Sequence, residues 1–414
     1  MPKIIFNLLL LIYLCTFGYT KYVNKHNTSR GEPSMKQEVI SYISSIKEDI
    51  YNLSNYLYAN PEISYKEYKG CSYIINMLKY HGFIIKDNYC NIPTSFYAHY
   101  GNGHPKICYI CKYTSTENTG HVFGNNVNAS ISVAAAIGLS KVIPKSGGSV
   151  ILLGCPGEYS NGAELALTKE KCFEDIDVII APHCDTTSAQ SGTSMATIPM
   201  KIKYHQNNNN NIGLTNFSSL DAYSFMLTTL SQWLKGLNNS FSIDTISIKN
   251  ASSCPNSVSE SEAKFYLRAD TLNDAKLFEK AITGFVKSMS KIMNSDGDIS
   301  LFELPSEELV TNKSLSRILT HNLKECGIID IAPCKNAIYA LGIGSISHIT
   351  PTIYPSISIT QKSTISCPSK DFALETQTDF CKNNMIRASE ALAITGLDII
   401  EKQDLLKEIL LELK

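Results

Sequence analysis

The stretch "KICYICKYTSTENTGHVFGNNVNASISVAAAIGLSKV", residues 106–142, holds the three parts of an α/β active-site junction. Ile107 to Tyr113 is an apolar, strand-like run. Ser130 to Val142 reads as an alanine-rich helix, and Ala129, Ala134, Ala135 and Ala136 permit close packing on a sheet. Between them lies "TGHVFGNN", residues 119–126, where open α/β sheets place their chemistry. A Gly-His pair, a second glycine and two amides form the skeleton of a ligand-bearing turn. Yet His121 is its one side chain able to bind a metal or move a proton near neutral pH.

Outward from this junction the chain alternates strands and helices. Upstream, apolar residues recur at helical spacing from Gln37 to Leu57, and Pro61 ends that helix. Tyr68 to His81 reads as a second helix closed by Gly82. "FIIKDNYCN" (83–91) and "SFYAHYG" (95–101) read as strands, and "KICYICKY" as a buried one. Downstream, "GGSVILLGCPGEYSNGAELAL" (147–167) is strand, turn and helix, and "DVIIAPHCD" (177–185) is a buried strand reaching His183. The alternation predicts an α/β fold with a mostly parallel sheet and its site at the strand C-terminal ends.

Near residue 195 the pattern changes to strand, helix, strand, strand, helix, with five consecutive asparagines at 207–211 read as a polar loop. That order predicts a compact α+β unit inserted into the first domain. The expected organisation is therefore an N-terminal segment 1–34, a main domain 35–195, an insertion 196–305, and the rest of the main domain 306–414.

At 414 residues two domains are the default expectation. Charged residues make up 18% and the net charge is −1, so there is no basic surplus for nucleic acid. Thirteen cysteines occur without regular spacing. The Cys108/Cys111 CxxC would straddle a strand with side chains on opposite faces, so free thiols are expected rather than a disulfide framework. Residues 1–20, "MPKIIFNLLLLIYLCTFGYT", support two readings. One is a signal peptide, too short for a stable membrane span, with the product secreted. The other is an extension ahead of a true start at Met35, with the product cytoplasmic. Asn-X-Ser/Thr sequences at Asn52, Asn128, Asn216 and Asn250 fit secretion, and also arise by chance in an Asn-rich chain.

Several segments carry a resemblance. "LYANPEISYKEYKGCSYIINMLKYHGF" (57–83), "IPTSFYAHYGNGHPKI" (92–107), "LLGCPGEYSNGAELAL" (152–167), "EDIDVIIAPHCDTTSA" (174–189), "EAKFYLRADTL" (262–272) and "GSISHITPTIYPSISI" (344–359) resemble, in order, segments of the zinc-dependent aminoacylase/carboxypeptidase family. The likeness is to its amidohydrolase and dipeptidase branch, and it runs from about residue 36 to 400. It implies a catalytic α/β domain with an inserted lid domain through which members often dimerise. It also implies two zinc ions that activate water for amide-bond hydrolysis of dipeptides or N-acyl amino acids.

The same resemblance implies that the metal site is degenerate. Where the family carries Gly-His-Ala-Cys-Gly-His-Asn, this chain has Gly120-His121-Val122-Phe123-Gly124-Asn125-Asn126, which puts Phe123 and Asn125 at two ligand positions. Glu158 keeps the general-base position, while Tyr159 stands at the ligand glutamate. His183 keeps a ligand position, and the C-terminal ligand falls on Tyr354. Lys112 replaces an acid, and the lid histidine falls within the asparagine run. His121, a turn-shaping residue in the family, is placed with Asn256 and Arg268 at the substrate cleft, although Arg268 is equally read as structural.

Phenylalanine has no donor atom, and amide or neutral tyrosine oxygens are poor substitutes for imidazole, thiolate or carboxylate at zinc. The expectation is a family homologue that has lost catalysis, holding no zinc or one weakly bound ion, with a cleft for a small peptide or N-acyl amino acid. Two rivals stand beside it: an active hydrolase with a single or relocated metal, and a non-catalytic ligand-binding or partner protein. Blander readings apply to single residues. Glu158 fits a helix N-terminal carboxylate, His183 a hydrogen-bonded histidine, and His348 scaffold. Cys184 as a nucleophile and Asp185 or Glu117 as relocated ligands are the remaining alternatives.

Overall fold

The computed structural model describes residues 34–157, 162–206, 219–236, 241–251, 260–293 and 295–413. Glu158, Tyr159, the asparagine run, Asn216, Asn256 and the segment 1–33 lie outside these residues. The chain divides into two units between Glu38 and Val39. Of the first, 34–38 are described, and they include the opening turn of a helix.

Helices of seven or more residues are α1 (Met35–Ser45), α2 (Lys47–Ala59), α3 (Tyr68–Tyr80), α4 (Asn125–Ser140), α5 (Ala163–Lys169), α6 (Ser219–Gly236), α7 (Leu272–Ile292), α8 (Lys313–Glu325), α9 (Asp379–Glu401) and α10 (Gln403–Leu411). Strands are β1 (Ile84–Asp87), β2 (Phe96–Gly101), β3 (Lys106–Cys111), β4 (Ser149–Gly154), β5 (Val178–Ile180), β6 (His183–Asp185), β7 (Ala196–Gln206), β8 (Phe241–Ala251), β9 (Glu260–Ala269), β10 (Ser295–Leu301), β11 (Thr352–Ile353) and β12 (Ser356–Ser358).

The main sheet has six strands in the order β1-β2-β4-β3-β5-β11. β4, β3, β5 and β11 run parallel, and the hairpin-linked β1 and β2 close one side antiparallel. β3 is buried on both faces, as a central parallel strand should be. Its CxxC straddles the sheet. Cys108 joins the cluster of Ile151, Leu153, Phe173 and Ile346. Cys111 lies toward α4, and Tyr109, on that same face, donates to the Leu392 carbonyl of α9 at 2.9 Å. All sixteen residues of α4 are buried, so it is a core helix between sheet, α2 and α9 rather than an amphipathic surface helix.

The helix expected over 37–57 is split. Ile46 breaks the run from Gln37 to Leu57 into α1 and α2. α4 begins at Asn125, five residues before the start that composition suggests, so the last two residues of "TGHVFGNN" are helical. The "DVIIAPHCD" strand is interrupted as well. Proline at 182 has no N–H for a ladder, and the chain leaves the main sheet there. His183–Asp185 then pairs in parallel with Ser356–Ser358 in a separate two-stranded sheet.

Between residues 196 and 301 the chain builds a second, antiparallel sheet, β10-β7-β9-β8. α7 covers it with Ala275, Phe278, Ile282, Val286 and Met289, a stripe at helical spacing, and Thr271 caps its N-terminus through Asp274 N at 3.1 Å. β10 was not legible in sequence, since "SDGDISL" is polar and forms an edge strand. Among the described residues no helix is long and apolar enough to cross a membrane.

Candidate functional site

The loop ahead of α4, the β5–β6 segment, the stretch around β11 and β12 and the chain from Lys335 to Leu341 meet at the carboxyl end of the parallel strands. They enclose a cavity of about 310 Å³ whose lining includes Phe123, His183, Asp185, Lys335, Tyr354 and Cys367. The sequence-predicted residues Phe123, His183 and Tyr354 thus all line one cavity. A more open groove of about 990 Å³ starts at Thr186 and runs past Ser358, Lys362 and Arg387.

Gly124 makes the loop's approach fit. Its φ is +70°, and a Cβ there would meet the Cys184 Cβ at 2.9 Å. This close packing seats Asn125 at the first position of α4. The Asn125 amide is used at both ends: Nδ2 donates to the Thr114 carbonyl at 2.9 Å, and Oδ1 accepts from Asn128 Nδ2 at 2.9 Å. Asn128 in turn accepts from Cys184 N at 2.7 Å. Asn128 is also only 3% exposed, which closes that Asn-X-Ser sequence to glycosylation.

His183 projects into the cavity, and its ring stacks on Tyr354, with centroids 4.9 Å apart and planes 19° from parallel. Cys184 turns the other way into the core, where burial pushes its thiol well above the usual range, so it is not a thiolate nucleophile. Asp185 pairs with Lys335 at 3.1 Å and accepts from Thr186 N at 2.7 Å. Glu117 is exposed and outside the cavity lining.

His121 is buried in the loop ahead of α4. Nε2 donates to the Leu57 carbonyl at 3.0 Å, and burial lowers its pKa to about 4, so the ring is neutral and fastens the turn to α2. Arg268 sits on β9, holding Asp244 with Nε at 2.6 Å and Nη2 at 3.2 Å, and Thr197 with Nη1 at 3.1 Å. Neither His121 nor Arg268 lines the cavity. His348 reaches the Glu308 carbonyl at 3.0 Å.

Two acids not singled out in sequence organise the same end of the sheet. Lys112 forms a buried ion pair with Glu164 of α5 at 2.8 Å, with side chains 10% and 0% exposed. Glu67, fully buried, accepts from Thr94 Oγ1 at 2.8 Å, from Thr114 Oγ1, and from Gly157 N at 3.0 Å. Local periodicity carries no trace of either, because each partner comes from a distant part of the chain. Cys367 is the third residue missed; its neighbour Pro368, joined by a cis peptide bond, also lines the cavity.

These side chains do not fit a pair of zinc ions. Each zinc needs about four N, O or S donors at about 2.0–2.3 Å. Among the described residues no group of three or more His, Cys, Asp and Glu is placed to hold a metal. Phe123 offers no donor, Asn125 has spent its amide, and Asp185 already has a cation.

No protein-family model matches the chain. It is 24% identical over 408 residues to the Xaa-Arg dipeptidase of Mus musculus, covering 92% of each chain. It is 23% identical over 353 residues to a component of the p-aminobenzoyl-glutamate hydrolase of Escherichia coli (strain K12), covering 72% of this chain and 73% of that one. Its fold matches the crystal structure of a dinuclear metal-binding peptidase of the M20 family from Bacillus subtilis, with a TM-score of 0.62 at 12% identity over 85% of this chain and 99% of the other. The α/β domain and the separate antiparallel domain correspond to the catalytic and lid domains of that fold. The chain is thus similar in sequence to a dipeptidase and to a component of a hydrolase, and similar in fold to an M20 peptidase.

Proposed function

We propose that this protein is a non-catalytic member of the amide-hydrolase lineage that keeps the cleft and has lost the two-zinc centre. The observation that carries the reading is the contact of His183 with Tyr354. On the family mapping both positions should supply ligands, and here they stack on each other as rings. Phe123 in the same cavity lining and the closed Asn125–Asn128 amide pair point the same way. Glu158, at the general-base position, has no metal-bound water to deprotonate in this reading.

What remains is a cavity of about 310 Å³ with an aromatic wall and the Asp185–Lys335 pair at its edge. That is the lower end of the size range of small-molecule sites, and it suits one residue of a dipeptide or N-acyl amino acid. Dimerisation through the antiparallel lid domain remains part of the proposal.

A second reading, hydrolysis with one relocated metal, draws on His183 and Cys367 lining one cavity. The experiment that separates the two is metal analysis of the purified full chain, followed by a hydrolysis screen and a thermal-shift screen with dipeptides and N-acyl amino acids. Ligand-induced stabilisation without turnover is expected. Tightly held zinc, with turnover abolished by a chelator and by Glu158→Gln, would overturn the non-catalytic reading.

A further inference from the structure

On the far side of the hydrophobic cluster beneath the main sheet, two cysteines approach each other from loops 82 residues apart. Cys90 Sγ and Cys172 Sγ are 3.0 Å apart, closer than two unbonded sulfurs normally settle and about 1 Å beyond the ~2.05 Å of a disulfide bond. Both residues are partly buried, so a small reagent can reach them, whereas Cys108, Cys111, Cys155 and Cys184 are sealed in the core.

The backbone on each side is held in a conformation that favours the approach. Cys90 sits at φ 54°, ψ 34° in the short turn Tyr89–Asn91, and Lys171, next to Cys172, has φ 60°. Neither residue type adopts left-handed backbone readily. The turns are nonetheless fixed: Tyr89 N donates to the Ser95 carbonyl at 3.1 Å, and Cys172 N to the Leu167 carbonyl at 3.0 Å. Tyr89, Cys90 and Cys172 all pack on the cluster formed by Cys108, Leu167 and Phe173.

We propose that Cys90 and Cys172 form a disulfide by exchange with a small-molecule disulfide of the glutathione class. One thiolate attacks a sulfur of the reagent and releases its first thiol. The second cysteine then displaces the remaining half, forming the Cys90–Cys172 bond. In sum the two cysteines lose two protons and two electrons, and the reagent disulfide is reduced to two thiols. Burial pushes the Cys90 thiol up to about 12, which suits Cys90 to the second, resolving step.

The bond would tie the Tyr89–Asn91 turn to the chain leaving α5. It would enclose β2, β3, α4, β4 and the cavity loop in one covalent ring, restricting the unfolded chain.

The test equilibrates the full chain in reduced and oxidised glutathione buffers, alkylates free thiols and maps peptides by mass spectrometry. A Cys90–Cys172 linked peptide is expected, with a Tm about 5 °C or more above that of the reduced protein. Cys90→Ser and Cys172→Ser should each abolish the link and the shift, while Cys326→Ser retains both. The reduced-against-oxidised comparison of the unmutated chain does not depend on the variants folding. Full alkylation of both cysteines in the oxidising buffer would overturn the proposal. So would a link to other cysteines, or a glutathione adduct on Cys172 that never resolves.

Discussion

The ring of His183 lies against the ring of Tyr354, 4.9 Å between centroids, across the parallel pairing of β6 with β12. Tyr354 stands in the link between β11 and β12 and His183 opens β6, so the strand pairing draws the two rings together. An offset-stacked pair of this kind is worth about 0.5–1.5 kcal/mol beyond its buried area. Tyr354→Phe keeps the ring and should therefore retain the ligand-induced thermal shifts. Tyr354→Ala should lower stability by about 1–3 kcal/mol, from lost stacking and packing, and abolish the shifts. Chemical denaturation and a thermal-shift titration measure both. Equal behaviour of the two variants would remove the ring from the site.

On the non-catalytic reading, putting back the ligands that the family resemblance implies tests whether the change is confined to those positions. In the quadruple variant Phe123→Cys, Asn125→His, Tyr159→Glu and Tyr354→His, zinc recovery is expected to be incomplete. The Asn125 step deprives the Thr114 carbonyl and the Asn128 amide of their partners, and each such buried group costs about 1–3 kcal/mol. Zinc content by mass spectrometry and the Tm of Asn125→His alone check this. Full, tight zinc loading would show that the surrounding shell has been preserved.

The Lys112–Glu164 pair makes a distinct prediction. Lys112→Met leaves a fully buried carboxylate without its cation and should cost about 3–5 kcal/mol. The double variant Lys112→Met, Glu164→Leu should recover most of that loss, because the pair gives back its desolvation penalty. A double-mutant cycle by urea unfolding reads the coupling. Additive losses would mean that the two charges are independently solvated.

His121 sets part of the acid limb of stability. Its folded pKa of about 4 is below the ordinary histidine value, so between those pH values the unfolded chain binds more protons than the folded one. Stability from this group is fully present above about pH 6.5 and falls as pH drops toward 4, by about 3 kcal/mol in all. His121→Gln, which keeps a donor for the Leu57 carbonyl, should flatten that limb. Unfolding free energies measured across the range would contradict the assignment if both proteins lose stability in parallel.

Much of the architecture could be read locally. The buried run at β3, the alanine-rich α4, the Gly82 stop and the amphipathic α7 each announce themselves by composition or spacing. Elements whose identity depends on neighbours did not. β10 is polar and becomes a strand only by pairing with β7. The β5–β6 break follows from one proline whose effect on sheet membership is a tertiary outcome.

The same division applies to the site. Sequence by itself determined which atoms stand at each position, and no fold can give Phe123 a donor atom or Tyr354 an imidazole. It also determined elements such as β3, α4 and α7, since those follow from the composition and periodicity of nearby residues. Only the tertiary structure decided that Lys112 meets Glu164, that Asn128 ties Asn125 to Cys184, and that Cys90 faces Cys172. Such contacts join residues far apart in the chain, and they are selected by how sheets and helices pack rather than by any local pattern. What the cleft can hold is therefore a property of the folded chain.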